Sequence, residues 1–129
     1  MNDLGTFIAA NHLHQISGGS TILLAVLTMT SGFVLASNGR RPTLRTVHKG
    51  LAYAAALLGA VTVGLGATAF HDRVHEVWPH LLFMVLAELG LLLTAFVLKP
   101  GSVPHRVAGA ASVVSLVTGL VIIIVLTAK

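Results

Sequence analysis

The sequence contains no cysteine and few charged residues, and each scarcity excludes a class of protein or site. Without cysteine the chain cannot form a disulfide, an iron–sulfur cluster or a thiolate zinc site. Charged residues make up only 9% of the 129 positions, whereas a soluble domain holds about 25%. Apolar residues make up 55% of the chain. The composition is therefore that of a membrane protein.

Four long apolar segments account for this composition, at 16–36, 50–70, 81–98 and 107–128. Each holds about 20 largely uncharged residues, which as an α-helix span roughly 30 Å of hydrocarbon. We predict an all-α polytopic membrane protein, an antiparallel bundle of four transmembrane helices at about 14–36, 46–70, 77–98 and 105–128. The short connections leave no room for another domain, so residues 1–129 are expected to form one domain. Because no lysine or arginine precedes the first segment, we interpret it as a retained helix and not as a cleaved signal peptide.

The distribution of charge predicts how the bundle crosses the membrane. Most cations lie in the two connections at one end of the bundle, and most acids lie at the other end. By the positive-inside rule the basic face is cytoplasmic and both termini are extracytoplasmic, in the cytoplasmic membrane of a bacterium or archaeon. The formal charge of +4 therefore does not predict nucleic-acid binding. The basic face carries Arg40, Arg41, Arg45, Lys49, Lys99 and Arg106, and the opposite face carries Asp3, Asp72, Glu76, Arg73 and Lys129.

A histidine stands at the start of each apolar segment, namely His14, His48, His80 and His105. In an antiparallel bundle His14 and His80 would meet at the outer face, and His48 and His105 at the inner face, each pair diagonally across the core. Neutral imidazole is an axial ligand of haem iron, and bundle cores are where facing side chains build such sites. The sequence predicts two bis-histidine b haems, or one haem at the His48/His105 site. At the outer site, His12 remains an alternative to His14.

Small residues follow three of these histidines along one helix face. A groove of small side chains fits a flat macrocycle, although small residues also let helices pack closely without any cofactor. The histidine at the head of each stripe favours the cofactor. At offsets of 4, 7, 11, 14 and 18 the stripes are Gly18, Thr21, Ala25, Thr28 and Gly32; Ala52, Ala55, Gly59, Thr62 and Gly66; and Gly109, Ser112, Leu116, Gly119 and Ile123.

Cations near each end of the bundle would bind the haem propionates. Arg45, Lys49 and Arg106 are candidates at the inner face, and Arg73 is a candidate at the outer face together with the indole of Trp78. The inner site is thus the better equipped electrostatically.

Two sequence segments carry a family resemblance. Val47-His48-Lys49-Gly50 and Pro104-His105-Arg106-Val107-Ala108-Gly109 resemble the histidine-led helices of dihaem membrane proteins of the cytochrome b561 type. The resemblance implies a four-helix core that holds two b haems on alternating helices and carries electrons across the membrane. It covers the bundle core, without the extra flanking helices of larger members. Ascorbate or another small reductant, a quinol and a partner membrane protein are the open choices of redox partner.

Glu88 is the one charged residue deep within an apolar segment. Carboxyl groups inside a membrane are costly and often functional, so Glu88 is a candidate proton or quinone site. The alternative is a protonated acid that is hydrogen-bonded to a threonine or carbonyl group on a neighbouring helix, or one that lines a contact with another subunit.

The three remaining histidines favour a second hypothesis. His71 and His75 would share a helix face, and with His12, Asp72 and Glu76 they could bind zinc or copper outside; otherwise they form a solvated rim. The chain is then either an electron-transfer protein or oxidoreductase subunit, or a non-redox membrane subunit of a respiratory or transport complex. It could act as a homo-oligomer or within such a complex, and a stand-alone enzyme is the less favoured interpretation.

Overall fold

The computed structural model describes residues 3–38 and 41–128, with side chains at 11–37, 41–126 and 128. Arg40, Lys129 and the side chain of Asp3, on which part of the charge argument depends, lie outside this part of the chain. The described residues form four long helices and no strand, so the all-helical prediction is confirmed. The helices are α1 (Asp3–Asn38), α2 (Pro42–Ala69), α3 (Val74–Leu92) and α4 (Val103–Thr127).

Each of the four helices is long and apolar enough to cross a membrane. Large apolar side chains are exposed all around the bundle: Phe33 is 76% exposed, Val97 70% and Leu57 63%. A soluble protein rarely exposes so much contiguous apolar surface, and lipid is the solvent that matches it.

The connections between helices follow local sequence signals. Pro42 begins α2, where its missing N–H costs nothing. The hydroxyl group of Ser102 caps α4 by accepting a hydrogen bond from the backbone N–H of His105 at 3.3 Å. Gly101 precedes this cap with φ of 78°, a left-handed conformation that favours glycine.

Some boundaries differ from the sequence prediction. Helix α1 begins at Asp3, well before His14, because the segment ahead of the apolar run is also compatible with a helix. The polar stretch after α2 forms a 3-10 turn, His71–Arg73. Helix α3 does not end as an α-helix but passes into a π-helical turn, Leu93–Val97, closed by the Leu98 N–H donating to the Leu93 carbonyl group at 2.8 Å.

The bundle is built from two closely packed helix pairs. Helix α1 packs mainly on α2, and α3 packs mainly on α4, while the contacts between the two pairs are fewer. His14, near the start of the apolar part of α1, contacts Thr62 toward the end of α2. His48, near the start of α2, contacts Thr28 toward the end of α1. The core between the pairs is made mostly of small residues, including Ala25, Ala55, Ala56 and Ala87.

Candidate functional site

The four helix-leading histidines form two pairs, as their sequence positions predicted. The ring centroids of His14 and His80 are 6.0 Å apart, with an interplanar angle of 89°. The ring centroids of His48 and His105 are 6.3 Å apart, with an angle of 65°. Each pair joins one histidine from the α1–α2 pair of helices to one from the α3–α4 pair.

The separation within each pair suits two axial ligands of one metal ion. An imidazole nitrogen binds a metal at about 2 Å, so two rings on opposite sides of one ion place their centroids about 6 Å apart. Edge-to-face packing of two rings also occurs at about 4.5–7 Å. The distances therefore fit both arrangements, and the hydrogen bonds of the rings distinguish them.

Three of the four rings are oriented by backbone carbonyl groups of the neighbouring helix. Nδ1 of His14 lies 3.0 Å from the Thr62 carbonyl oxygen, and Nδ1 of His80 lies 2.8 Å from that of Gly119. Nδ1 of His48 lies 3.0 Å from the Thr28 carbonyl oxygen. Because a carbonyl oxygen only accepts, Nδ1 carries a proton in each ring, and in a neutral ring Nε2 then keeps its lone pair. Metal-binding histidines are normally fixed in this way, and simple ring packing does not require it.

His80 and His105 each keep a buried ring nitrogen without a partner. Among the described residues, Nε2 of His80 and Nδ1 of His105 are buried and make no hydrogen bond. The side chain of His80 is only 4% exposed. A buried polar atom without a partner costs about 1–3 kcal/mol, and a ligand bound at Nε2 of His80 would remove that cost.

The carbonyl acceptors recur at a constant distance along the sequence. Thr28, Thr62 and Gly119 each follow the histidine of their own helix by 14 residues. On α3 the residue at this spacing is Thr94, which lies in the π-helical turn. A π-helical turn changes the direction of the local carbonyl groups, and His105, the ring expected to use this acceptor, is the one whose Nδ1 has no partner.

The rings of His14 and His48 occupy space that is free because the facing residue is a glycine. A Cβ atom on Gly66 would lie 2.8 Å from Cε1 of His14, and one on Gly32 would lie 3.0 Å from Cε1 of His48. Gly119 also faces the His80 ring, but a Cβ atom there would lie at an ordinary contact distance of 3.6 Å from Nδ1. The predicted small-residue stripes therefore face the histidines of the partner helix. Their inward orientation is confirmed by the burial of Thr21, Ala25, Ala55, Gly59, Thr62, Gly66, Ser112, Leu116 and Gly119.

A cleft lies beside the His48–His105 pair. Its volume is about 290 Å³, and it is lined by both histidines, Lys49 and the π-helical turn. Tyr53 and Phe96 stack beside it, with centroids 5.2 Å apart. Ligand pockets usually measure about 300–1,000 Å³, so a flat macrocycle would have to part the two helix pairs further. The contacts between the two helix pairs are fewer than the contacts within each pair.

The predicted propionate partners differ in how available they are. Lys49 lines the cleft, and Arg45 and Arg106 are exposed near the same end of the bundle. Arg73 is engaged with Glu76: its Nε and Nη2 donate to Oε2 at 2.8 and 2.6 Å. The Trp78 side chain is 55% exposed.

The leftover histidines do not form a metal cluster within the described residues. His12, His71 and His75 are exposed, and the described part of the chain brings together no group of three or more His, Asp or Glu side chains able to hold a metal ion. The hypothesis of a zinc or copper site therefore gains no support from these residues. His14 is the ring paired with His80, and it is buried.

Glu88 is buried between the levels of the two histidine pairs. It is 7% exposed, and both carboxyl oxygens are buried without a hydrogen-bond partner in the described part of the chain. The suggested bond to a threonine or carbonyl group of a neighbour is therefore absent. Its Oε2 approaches Gly59, where a Cβ atom would overlap it and would also lie 3.4 Å from Cγ2 of Thr21.

Comparisons with protein-family models, with curated proteins and with solved structures found no match to this chain. Sequence reasoning found the four histidines and their pairing, but missed the carbonyl acceptors and the contacts of Gly32 and Gly66. The available signal was the residue 14 positions after His14, His48 and His105, and the glycine 18 positions after His14 and His48. All of these residues belong to the small-residue stripes.

Proposed function

We propose that this chain is a membrane b-type cytochrome that binds two haems, one between His14 and His80 and one between His48 and His105. The observation that supports the proposal is the combination of two imidazole pairs at 6.0 and 6.3 Å with carbonyl contacts at Nδ1 of His14, His48 and His80. Rings fixed in this way would leave Nε2 available to bind a metal.

The number of ligands favours haem over a bare metal ion. Zinc in a structural site takes four ligands from the protein, and in a catalytic site three. Each site here offers two imidazoles. A haem iron already has four porphyrin nitrogens and needs only the two axial ligands, so two histidines complete its coordination.

The positions of the two sites suit electron transfer through a membrane. The outer site lies at the level of His80 on α3, and the inner site lies at the level of Thr94 in the π-helical turn that continues α3. These two residues are 14 positions apart, or roughly 21 Å along a helix. The two haems would then lie toward opposite faces of a hydrocarbon core about 30 Å thick. The contacts of His14 with Thr62 and of His48 with Thr28 support an antiparallel bundle. The redox partner is a quinol, a small reductant or another membrane protein.

The first prediction concerns the absorption spectrum. The purified protein, expressed with haem supplied, should show a Soret band and, after dithionite reduction, a sharp α band typical of bis-histidine haem b. The pyridine haemochrome should give two haems per chain. One haem per chain would leave a single site, and a colourless protein after expression with excess haem would refute the proposal.

The second prediction concerns orientation in the membrane. Because the sequence has no cysteine, single cysteines can be labelled without background. In intact cells a membrane-impermeant maleimide should label Asp72→Cys, whereas Ser37→Cys should react only after permeabilisation, because the basic face is proposed to be cytoplasmic. Both residues are exposed. The unmodified chain is the control, and the reverse pattern would place both termini inside.

A further inference from the structure

Glu88 is a buried acid that the binding of two haems does not use. Neither carboxyl oxygen has a hydrogen-bond partner among the residues that the structure describes, and the side chain is more than nine-tenths buried. Burying an unpaired carboxylate in apolar surroundings is costly, so an isolated buried carboxyl group takes up a proton instead. In the absence of a neighbouring positive charge, Glu88 is therefore expected to be a neutral carboxylic acid.

Glu88 lies midway between the two proposed haems. It follows His80 by eight residues on α3, roughly 12 Å along the helix, and precedes Thr94 by six residues, roughly 9 Å. The groups that could compete with it are few. The titratable side chains that the described parts of the four helices direct into the bundle near Glu88 are His14, His48, His80 and His105, which are the proposed iron ligands.

The charge on the haems would influence whether the Glu88 carboxyl group is ionised or protonated. A ferric porphyrin with two neutral imidazoles carries a net positive charge at its centre, and the ferrous form carries none. At a distance of about 10 Å in a medium of low dielectric constant, this charge acts on a carboxyl group with little screening. Ferric haems therefore stabilise the Glu88 carboxylate, and reduction removes that stabilisation.

Buried hydroxyl groups extend from the His14 end of the bundle toward Glu88. The hydroxyl of Ser17 donates to the His14 carbonyl oxygen at 3.1 Å, and that of Thr21 donates to the Ser17 carbonyl oxygen at 2.8 Å. The hydroxyls of Thr21 and Thr62 are 3.2 Å apart, and both side chains are fully buried. Thr21 and Glu88 approach the same side of Gly59. These hydroxyls are polar groups in an otherwise apolar core. The Thr21 atom nearest to Gly59 is the methyl carbon Cγ2, and none of these hydroxyls bonds the Glu88 carboxyl group.

We infer that Glu88 is a proton-binding site coupled to the haems, which takes up a proton when a haem is reduced and releases it when the haem is oxidised. The inference rests on the proposed function. With a haem bound, one electron from a small one-electron reductant would reduce Fe(III) to Fe(II), and the Glu88 carboxylate would take up one proton from a hydronium ion of the solvent. The O–H bond of the carboxylic acid would form, an O–H bond of the hydronium ion would break to leave water, and the reductant would be the species oxidised.

The test is the pH dependence of the haem midpoint potentials in three proteins: the unmodified chain, Glu88→Gln and Glu76→Gln. In the unmodified protein at least one potential should fall as the pH rises, because reduction brings a proton with it. Glu88→Gln should lose most of this slope and keep its bis-histidine bands. Glu76→Gln, altered at an exposed acid paired with Arg73, should keep the slope.

A second measurement needs no change at Glu88. In the Glu76→Gln protein Glu88 is the remaining glutamate, so reduction should produce an infrared C=O band of a carboxylic acid that shifts with ¹³C-glutamate. A slope that survives in Glu88→Gln, or the absence of this band, would overturn the inference and leave the haems in place. A protein without a Soret band would overturn the proposed function, and the inference with it.

Discussion

Replacing His48 or His105 by alanine should remove the same haem and lower the haem content from two per chain to one. The two rings lie on different helix pairs, with centroids 6.3 Å apart, so neither can hold an iron in six coordination alone. Losing one axial ligand also leaves one face of the porphyrin without an anchor. His14→Ala and His80→Ala should in the same way remove the other haem, because those rings form the second pair.

Double variants test whether two histidines bind the same haem. His48→Ala combined with His105→Ala should lose no more haem than either change alone, because both act on one site and are not additive. His48→Ala combined with His80→Ala should lose both haems. The measurement is the pyridine haemochrome per chain, with electron paramagnetic resonance to distinguish the two ferric haems.

Matched controls are available among the other histidines. His71→Ala and His75→Ala alter exposed side chains and should keep two haems. If His48→Ala combined with His105→Ala gave a colourless protein while each single variant kept one haem, the rings would not share a haem and the proposed pairing would be wrong.

Replacing Gly66 by leucine should abolish the His14–His80 haem and spare the other one. Even the Cβ atom alone would lie 2.8 Å from Cε1 of His14, which is too close. The His14 ring is held at that place by its hydrogen bond to Thr62, so it would have to break this bond to move. A leucine side chain would fill the space of the ring itself.

Gly64 provides the control on the same helix. A Cβ atom there meets nothing within 4 Å, and the residue is exposed. Gly64→Leu should therefore keep both haems. Gly64→Ala should also raise helix stability by about 0.5–1 kcal/mol, because glycine is a poor helix former. Equal haem loss in Gly64→Leu and Gly66→Leu would point to a general effect of bulk on α2 and would contradict the specific contact.

The corresponding glycine on α1 should affect the opposite site. A Cβ atom on Gly32 would lie 3.0 Å from Cε1 of His48, so Gly32→Leu should remove the His48–His105 haem and spare the His14–His80 haem. Gly19→Leu, altered where a Cβ atom meets nothing within 4 Å, is the control on that helix. Gly66→Leu and Gly32→Leu, each made alone, should therefore remove one haem each. The haem lost should be the same one that is lost when a histidine of that pair is replaced, although neither glycine variant changes a ligand.

The four helices and the meeting of the histidines in pairs could be predicted from the sequence. Helices were predictable because runs of about 20 apolar residues leave the backbone no other way to satisfy its hydrogen bonds in lipid. The pairing followed because successive helices that reverse direction bring every second helix start to the same end. The position of Glu88 along α3 was also readable from the sequence, since a helix rises by a constant 1.5 Å per residue.

The tertiary structure alone decided which atoms face which. Whether Nδ1 of His14 meets a carbonyl oxygen, or whether Gly66 leaves room for that ring, depends on the rotation and axial offset of two helices, which the periodicity of one helix does not specify. The π-helical turn that accompanies the unpartnered Nδ1 of His105 was likewise invisible in the apolar run at 93–97. The carboxyl group of Glu88 has no partner within the described parts of the helices. This depends on how the helices pack, because hydrogen bonding across a bundle is set by packing and not by the order of residues along the chain.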